Sequence, residues 1–210
     1  LEVLSYRTIW SLTFFAGVLA VQGRLALLPR ALGGGRAPVI AAAAVMIGVN
    51  WFGFIWAIQV GRAVEASLGY YIFPLVAVLL GRALFGEALS RAQWLAVALA
   101  AIAVTQLTLG LGAAPWISLL LAVTFGAYGV LKKRLDLGPV VSVTAEVLLL
   151  LPAALAFALA SGPGGLSTGT HLLLIASGPL TATPLILFSY AARRARLATI
   201  GLIQYMNPTL

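Results

Sequence analysis

Apolar residues run along this chain in long blocks, broken by short clusters of charge, glycine and proline. Most blocks hold about 17 to 23 residues, enough to cross a hydrocarbon core about 30 Å thick as a helix. Barrel strands would instead alternate apolar and polar positions with a period of two. In lipid the backbone N–H and C=O groups must be satisfied within the segment, and an uninterrupted apolar run does that only as a helix. Eight segments, A to H, are predicted at 3–23, 38–60, 66–84, 92–109, 115–131, 140–160, 171–191 and 197–210. The connections between them are brief, so function is expected among the helices.

Composition strengthens this picture: 62% of the residues are hydrophobic and 9% charged, against roughly 25% charged in a soluble domain. A net charge of +8 would suggest nucleic acid in a soluble protein. Here the cations sit between apolar runs, so they report orientation and no nucleic-acid partner is expected. Eleven of the 13 Lys and Arg residues fall at alternate connections (A–B, C–D, E–F, G–H), Lys132, Lys133 and Arg134 among them, and only Arg62 falls on the other side. Because cytoplasmic loops carry the basic excess, those four connections are expected in the cytoplasm of a bacterial inner-membrane protein. The chain has no cysteine, which removes disulfides and thiolate chemistry. It starts at Leu1 and stops at Leu210 inside an apolar stretch, and it is expected to be a fragment.

Sliding the sequence against itself gives one informative register, at an offset of 134 residues. Phe54, Ala57, Arg62, Leu68, Tyr71 and Pro74 fall on Phe188, Ala191, Arg196, Leu202, Tyr205 and Pro208, with identity at each position. Segments B–C therefore read as a copy of G–H five spans later, and an odd number of spans inverts the second copy. Inverted repeats are a mark of secondary transporters, with the substrate site at the repeat interface near the midplane.

Polar residues inside the apolar blocks are the candidates for chemistry. Glu146 is the sharpest, since an acid near a helix centre costs about 2.5–3.5 kcal/mol on insertion scales. It could bind a substrate amine or carry a coupling proton, or it could be a structural carboxyl bonded to a neighbouring helix. Glu65 opens segment C, where an acid complements the helix dipole; it could also gate the external mouth. Asn50 and Trp51 sit midway along segment B, Tyr70 and Tyr71 lie in C, and Gln204 and Tyr205 at similar depth in H. All six are candidates for lining a substrate cavity, or for interhelical packing and hydrogen bonding. Pro74 and Pro208 would each free a carbonyl one turn earlier and bend their helices. Arg7, near the external end of A, is expected to snorkel to the headgroups or to pair with Glu2. No Walker A motif, zinc-ligand cluster or dinucleotide fingerprint is present, so no cofactor or metal is expected. The G-x-S-x-G match at Gly165 to Gly169 has no strand before it, and His171, close in sequence, has no buried acid to complete a triad, so it is read as coincidence.

Several stretches resemble the EamA branch of the drug/metabolite transporter superfamily. They are Tyr6-Arg7-Thr8-Ile9-Trp10-Ser11, Ile47-Gly48-Val49-Asn50-Trp51 with Phe54-Ile55-Trp56-Ala57, Glu65-Ala66-Ser67-Leu68-Gly69-Tyr70, Gly86-Glu87, Gln93-Trp94-Leu95-Ala96-Val97, and Gln204-Tyr205 with Pro208-Thr209-Leu210. The resemblance implies ten helices in two inverted five-helix repeats, of which this chain would hold about eight. Residues 1–109 would then be a first repeat lacking its first helix, and 115–210 a second lacking its end. The expectation is an all-α membrane protein, not an enzyme, that moves a small metabolite or drug-like solute across the bilayer by alternating access. Without a nucleotide motif, coupling to a proton or ion gradient or facilitated exchange is implied. The alternative class is an intramembrane enzyme or lipid-handling protein with Glu146 or Glu65 as acid/base.

Overall fold

The structure, a computed structural model, describes residues 2–33, 35–111, 116–160 and 168–206. Among them the helices are α1 (Glu2–Val21), α2 (Leu27–Leu32), α3 (Ala37–Gln59), α4 (Ala63–Phe85), α5 (Arg91–Leu111), α6 (Trp116–Arg134), α7 (Pro139–Ala160), α8 (Thr168–Arg194) and α9 (Leu197–Gln204). Seven of these, α1 and α3 to α8, are long and apolar enough to cross a membrane. They match segments A to G to within three residues at each end. Segment H is helical as α9, after which Tyr205 and Met206 turn. Pro208 lies outside the described residues.

Local chemistry sets several boundaries. Pro38 stands in the first turn of α3, where its missing N–H costs nothing. Gly86 ends α4 in the left-handed region at φ +62°, which glycine reaches without strain. Ser90 and Gln93 form a reciprocal capping box at the start of α5, Gln93 N–H donating to Ser90 Oγ at 3.2 Å and Ser90 N–H to Gln93 Oε1 at 2.8 Å.

Packing then arranges the spans around α6, which contacts α3, α4 and α8, while α1 packs on α7 and α8. Two seams are tight because a glycine faces a backbone. A Cβ on Gly178 of α8 would stand 2.7 Å from the Trp10 carbonyl oxygen of α1, and one on Gly201 of α9 2.8 Å from that of Pro74 in α4. Small residues at such crossings are how helices associate where lipid supplies no hydrophobic drive. By contrast α5 lies against α4 and leaves Leu95, Leu99, Ile102 and Leu109 exposed.

Two features depart from the sequence reading. The A–B connection contains the short helix α2, whose Ala31 is buried in a cluster with Leu19, Ile40, Leu135 and Val141. The larger correction concerns Lys132. It was assigned to the cytoplasmic E–F connection, but α6 continues to Arg134 and carries Lys132 fully buried inside the bundle. Its partner is an acid on the next helix, which a count of loop charges does not see. Ten basic residues remain on that side against Arg62.

Candidate functional site

A cavity of about 240 Å³ opens among α3, α4, α6, α8 and α9. Asn50 and Trp51 from α3, Tyr70 from α4 and Gln204 from α9 line it, so four of the six cavity candidates come together. Thr181, Pro184 and Leu185 of α8 face them, and Phe125 and Phe188 close the aromatic side. Asn50 is also held in place: its Nδ2 donates to the Leu121 carbonyl at 2.9 Å and to Thr124 Oγ1 at 3.1 Å, both on α6. Trp51 stands between this cavity and a second, apolar one of about 230 Å³ bounded by α1, α3 and α7. The other two candidates bond to each other, Tyr205 donating its hydroxyl to the Tyr71 carbonyl at 3.1 Å, and neither lines the cavity. Pro74 lies buried inside α4; without an N–H it leaves the Tyr70 carbonyl, one turn earlier, without its helical donor.

Glu146 is fully buried on α7 and faces α6. Lys132 Nζ donates to its Oε1 at 2.6 Å and Tyr128 OH to its Oε2 at 2.9 Å. The lysine also bonds to Ser142 Oγ, which in turn donates to the Pro139 carbonyl at 3.1 Å. A lone acid in apolar surroundings is thus a saturated ion-pair network, which is what a charge needs to stay charged away from water. The network touches the cavity indirectly. Tyr128 stacks against both Phe125 and Phe188, with its ring centroid 6.0 Å from each of the two, which are 4.8 Å from one another, and those two rings are cavity walls.

The remaining charges separate into roles. Glu65 sits in the first turn of α4 with its Oε1 3.6 Å from Arg62 Nε, and its backbone carbonyl accepts from Ser118 Oγ at 2.6 Å. It lines neither cavity. Arg7 neither pairs with Glu2 nor reaches outward: its guanidinium lies 4.6 Å from the centroid of the Trp51 ring, with Nε and Nη2 buried and unbonded. At the opposite end Glu87, in the α4–α5 connection, accepts from the Leu197 and Ala198 N–H groups of α9 at 2.8 and 2.9 Å and from Lys133 Nζ at 2.7 Å. Burial pushes this carboxyl up, but those three hydrogen bonds and the Lys133 charge outweigh it and hold the group below its usual range.

Sequence reasoning missed Lys132, Glu87, Thr181 and the aromatic pair Phe125 and Phe188 as site residues. Lys132 looked like one of three consecutive loop cations, and only the helical spacing of Tyr128 and Lys132, four residues apart on one face, could have flagged it. Of the others, Glu87 lies in a connection, within the Gly86-Glu87 stretch, and Phe188 matches Phe54 at the 134-residue offset, while Thr181 and Phe125 carry no sequence signal beyond lying in a span.

Comparison with known proteins agrees with the resemblance. The EamA-like transporter family matches over residues 1–109. Protein RarD of Streptomyces exfoliatus is 43% identical over 219 residues, covering 99% of this chain and 68% of its own length. An uncharacterized transporter of Pseudomonas aeruginosa is 42% identical, with 100% of this chain and 72% of its own covered. Protein RarD of Escherichia coli is 38% identical, with 100% and 73% covered. No solved structure matches the chain.

Proposed function

Because the chain belongs to the EamA-like transporter family, a multi-pass membrane group with bacterial relatives, we propose that it moves a small metabolite by alternating access through the cavity between two inverted repeats. One observation carries this reading. At the 134-residue offset Asn50 pairs with Pro184, Trp51 with Leu185 and Tyr70 with Gln204, and all six line the same cavity. A cavity walled by equivalent positions of two copies straddles the axis that relates them, which is where transporters of this architecture bind. The hydrogen bond between Tyr71 and Tyr205, another equivalent pair, supports the same axis. The family match over residues 1–109 supports a first repeat there and a second in 115–210.

At about 240 Å³ the cavity is below the 300–1,000 Å³ typical of drug-sized ligands, which favours a small solute. Glu146 is the coupling acid in this proposal, with Lys132 as its counter-ion and the stacked Tyr128 as the link to the cavity wall. Protonating Glu146 frees Lys132 and loosens α6 against α7, so proton binding and cavity shape are connected. Glu65 acts as an external gate post, and the bend at Pro74, matched in sequence by Pro208, lets the repeat-related helices rock. The four basic connections face the cytoplasm.

Thr181→Trp tests the route. Placing an indole in the cavity should abolish substrate flux of the full-length protein in proteoliposomes, at a melting temperature near that of the wild type. Undiminished flux in that variant would move the pathway elsewhere.

A further inference from the structure

Among the described residues the acids leave Arg7, a partly buried cation inside a span, without an ion-pair partner. Glu65 pairs with Arg62, Glu87 with Lys133, Asp136 with Arg193 and Glu146 with Lys132. Glu2, the fifth, makes no ion pair among the described residues, and Arg7 rests on the Trp51 ring with two of its nitrogens buried and unbonded. An ionised group within a membrane span is costly and is retained where a partner or a function compensates it. Guanidinium remains charged in proteins, so Arg7 cannot escape the cost by releasing its proton. Its setting is specific: Arg7 itself lines neither cavity, but the Trp51 ring on which its guanidinium rests forms a wall of both.

We propose that Arg7 is the charge-recognition residue for the transported solute, and that the solute is a small organic monoanion, a carboxylate carried on an aromatic or apolar body. The planar guanidinium offers parallel N–H donors that match a carboxylate. Trp51, Tyr70, Phe125 and Phe188 supply flat apolar faces for the body, while Asn50, Thr181 and Gln204 offer the few polar contacts that orient it. Bound anion would neutralise Arg7, so the loaded carrier would expose no uncompensated charge as it changes conformation. This inference rests on the cavity being the transport site.

The test uses the full-length protein with phenylacetate and its neutral isostere phenylacetamide. Binding is read in detergent by isothermal titration and flux in proteoliposomes. The wild type should bind phenylacetate at least tenfold more tightly than the amide. Arg7→Gln should abolish that preference while changing amide binding less than twofold, and Arg7→Lys should restore part of it. Because the cation is unpaired, Arg7→Met should melt at or above the wild-type temperature, whereas a structural ion-pair residue would lose stability. Equal binding of acid and amide by the wild type would overturn the inference without recourse to any variant. So would a drop in melting temperature for Arg7→Met, since that would reveal an acid elsewhere in the full-length protein as the partner. Flux of the amide with no preference for the acid would sink the inference and leave the transport reading standing; Arg7-dependent binding of the acid with no flux of either probe would overturn the transport reading and, with it, the inference that rests on it.

Discussion

At the scale of single residues Lys132–Glu146 and Asn50, both buried, differ in what holds them. Removing one member of the Lys132–Glu146 pair strands the other charge, and breaking a buried pair costs about 3–5 kcal/mol. Lys132→Met and Glu146→Gln should each lower the melting temperature sharply, whereas the double variant K132M/E146Q should recover much of the loss. Additive losses in a thermal-unfolding cycle would mean that the two side chains act independently. Glu146→Gln should also flatten the pH dependence of flux; unchanged coupling would retire its role as the proton carrier. Asn50 is a milder case, because its amide joins α3 to α6 through the Leu121 carbonyl and Thr124. Asn50→Leu should cost about 1–3 kcal/mol, and detergent melting curves would register it.

At the scale of elements the connection between α4 and α5 controls how α9 begins. Glu87 accepts the first free N–H groups of α9 and anchors Lys133, which also donates to the Ala195 carbonyl at 2.9 Å. Four connecting segments and helix ends are thereby tied at one side of the membrane by one carboxylate. Its pKa is lowered in the folded protein, so its stabilisation is complete above the ordinary carboxylate range. It is lost as pH falls through the lowered folded-state value. Wild-type melting temperature should therefore fall on acidification in that window, and Glu87→Gln should be less stable at neutral pH with a flatter acid limb. Parallel curves for the two proteins would show that Glu87 carries none of the dependence. The same staple explains why Gly81 is glycine: a Cβ there would stand 2.6 Å from Glu87 Oε2.

At the scale of the whole molecule the basic asymmetry predicts which side faces the cytoplasm, and the absence of cysteine makes that testable. With a membrane-impermeant maleimide on intact cells, Arg62→Cys should label and Ala88→Cys should not; the opposite pattern would invert the topology. The number, length and helical nature of the spans were legible in the sequence because lipid demands internal backbone hydrogen bonding, a one-dimensional constraint visible as apolar run length. Identities at a fixed offset were legible too, and together with polar positions inside the spans they singled out Asn50, Trp51, Tyr70 and Gln204. What those residues touch was not legible. Whether Glu146 stands alone or beside Lys132, whether Arg7 turns outward or onto Trp51, and whether Tyr71 and Tyr205 line the cavity or bond to each other depend on which helix faces which. Helix facing is set by close packing at positions such as Gly178 and Gly201 and by charges meeting across helices, interactions between residues far apart in the chain. Run length alone determined that this protein spans a membrane as helices; pairing across those helices, which only the tertiary structure decides, made a cavity, a buried ion pair and an unpaired guanidinium out of them.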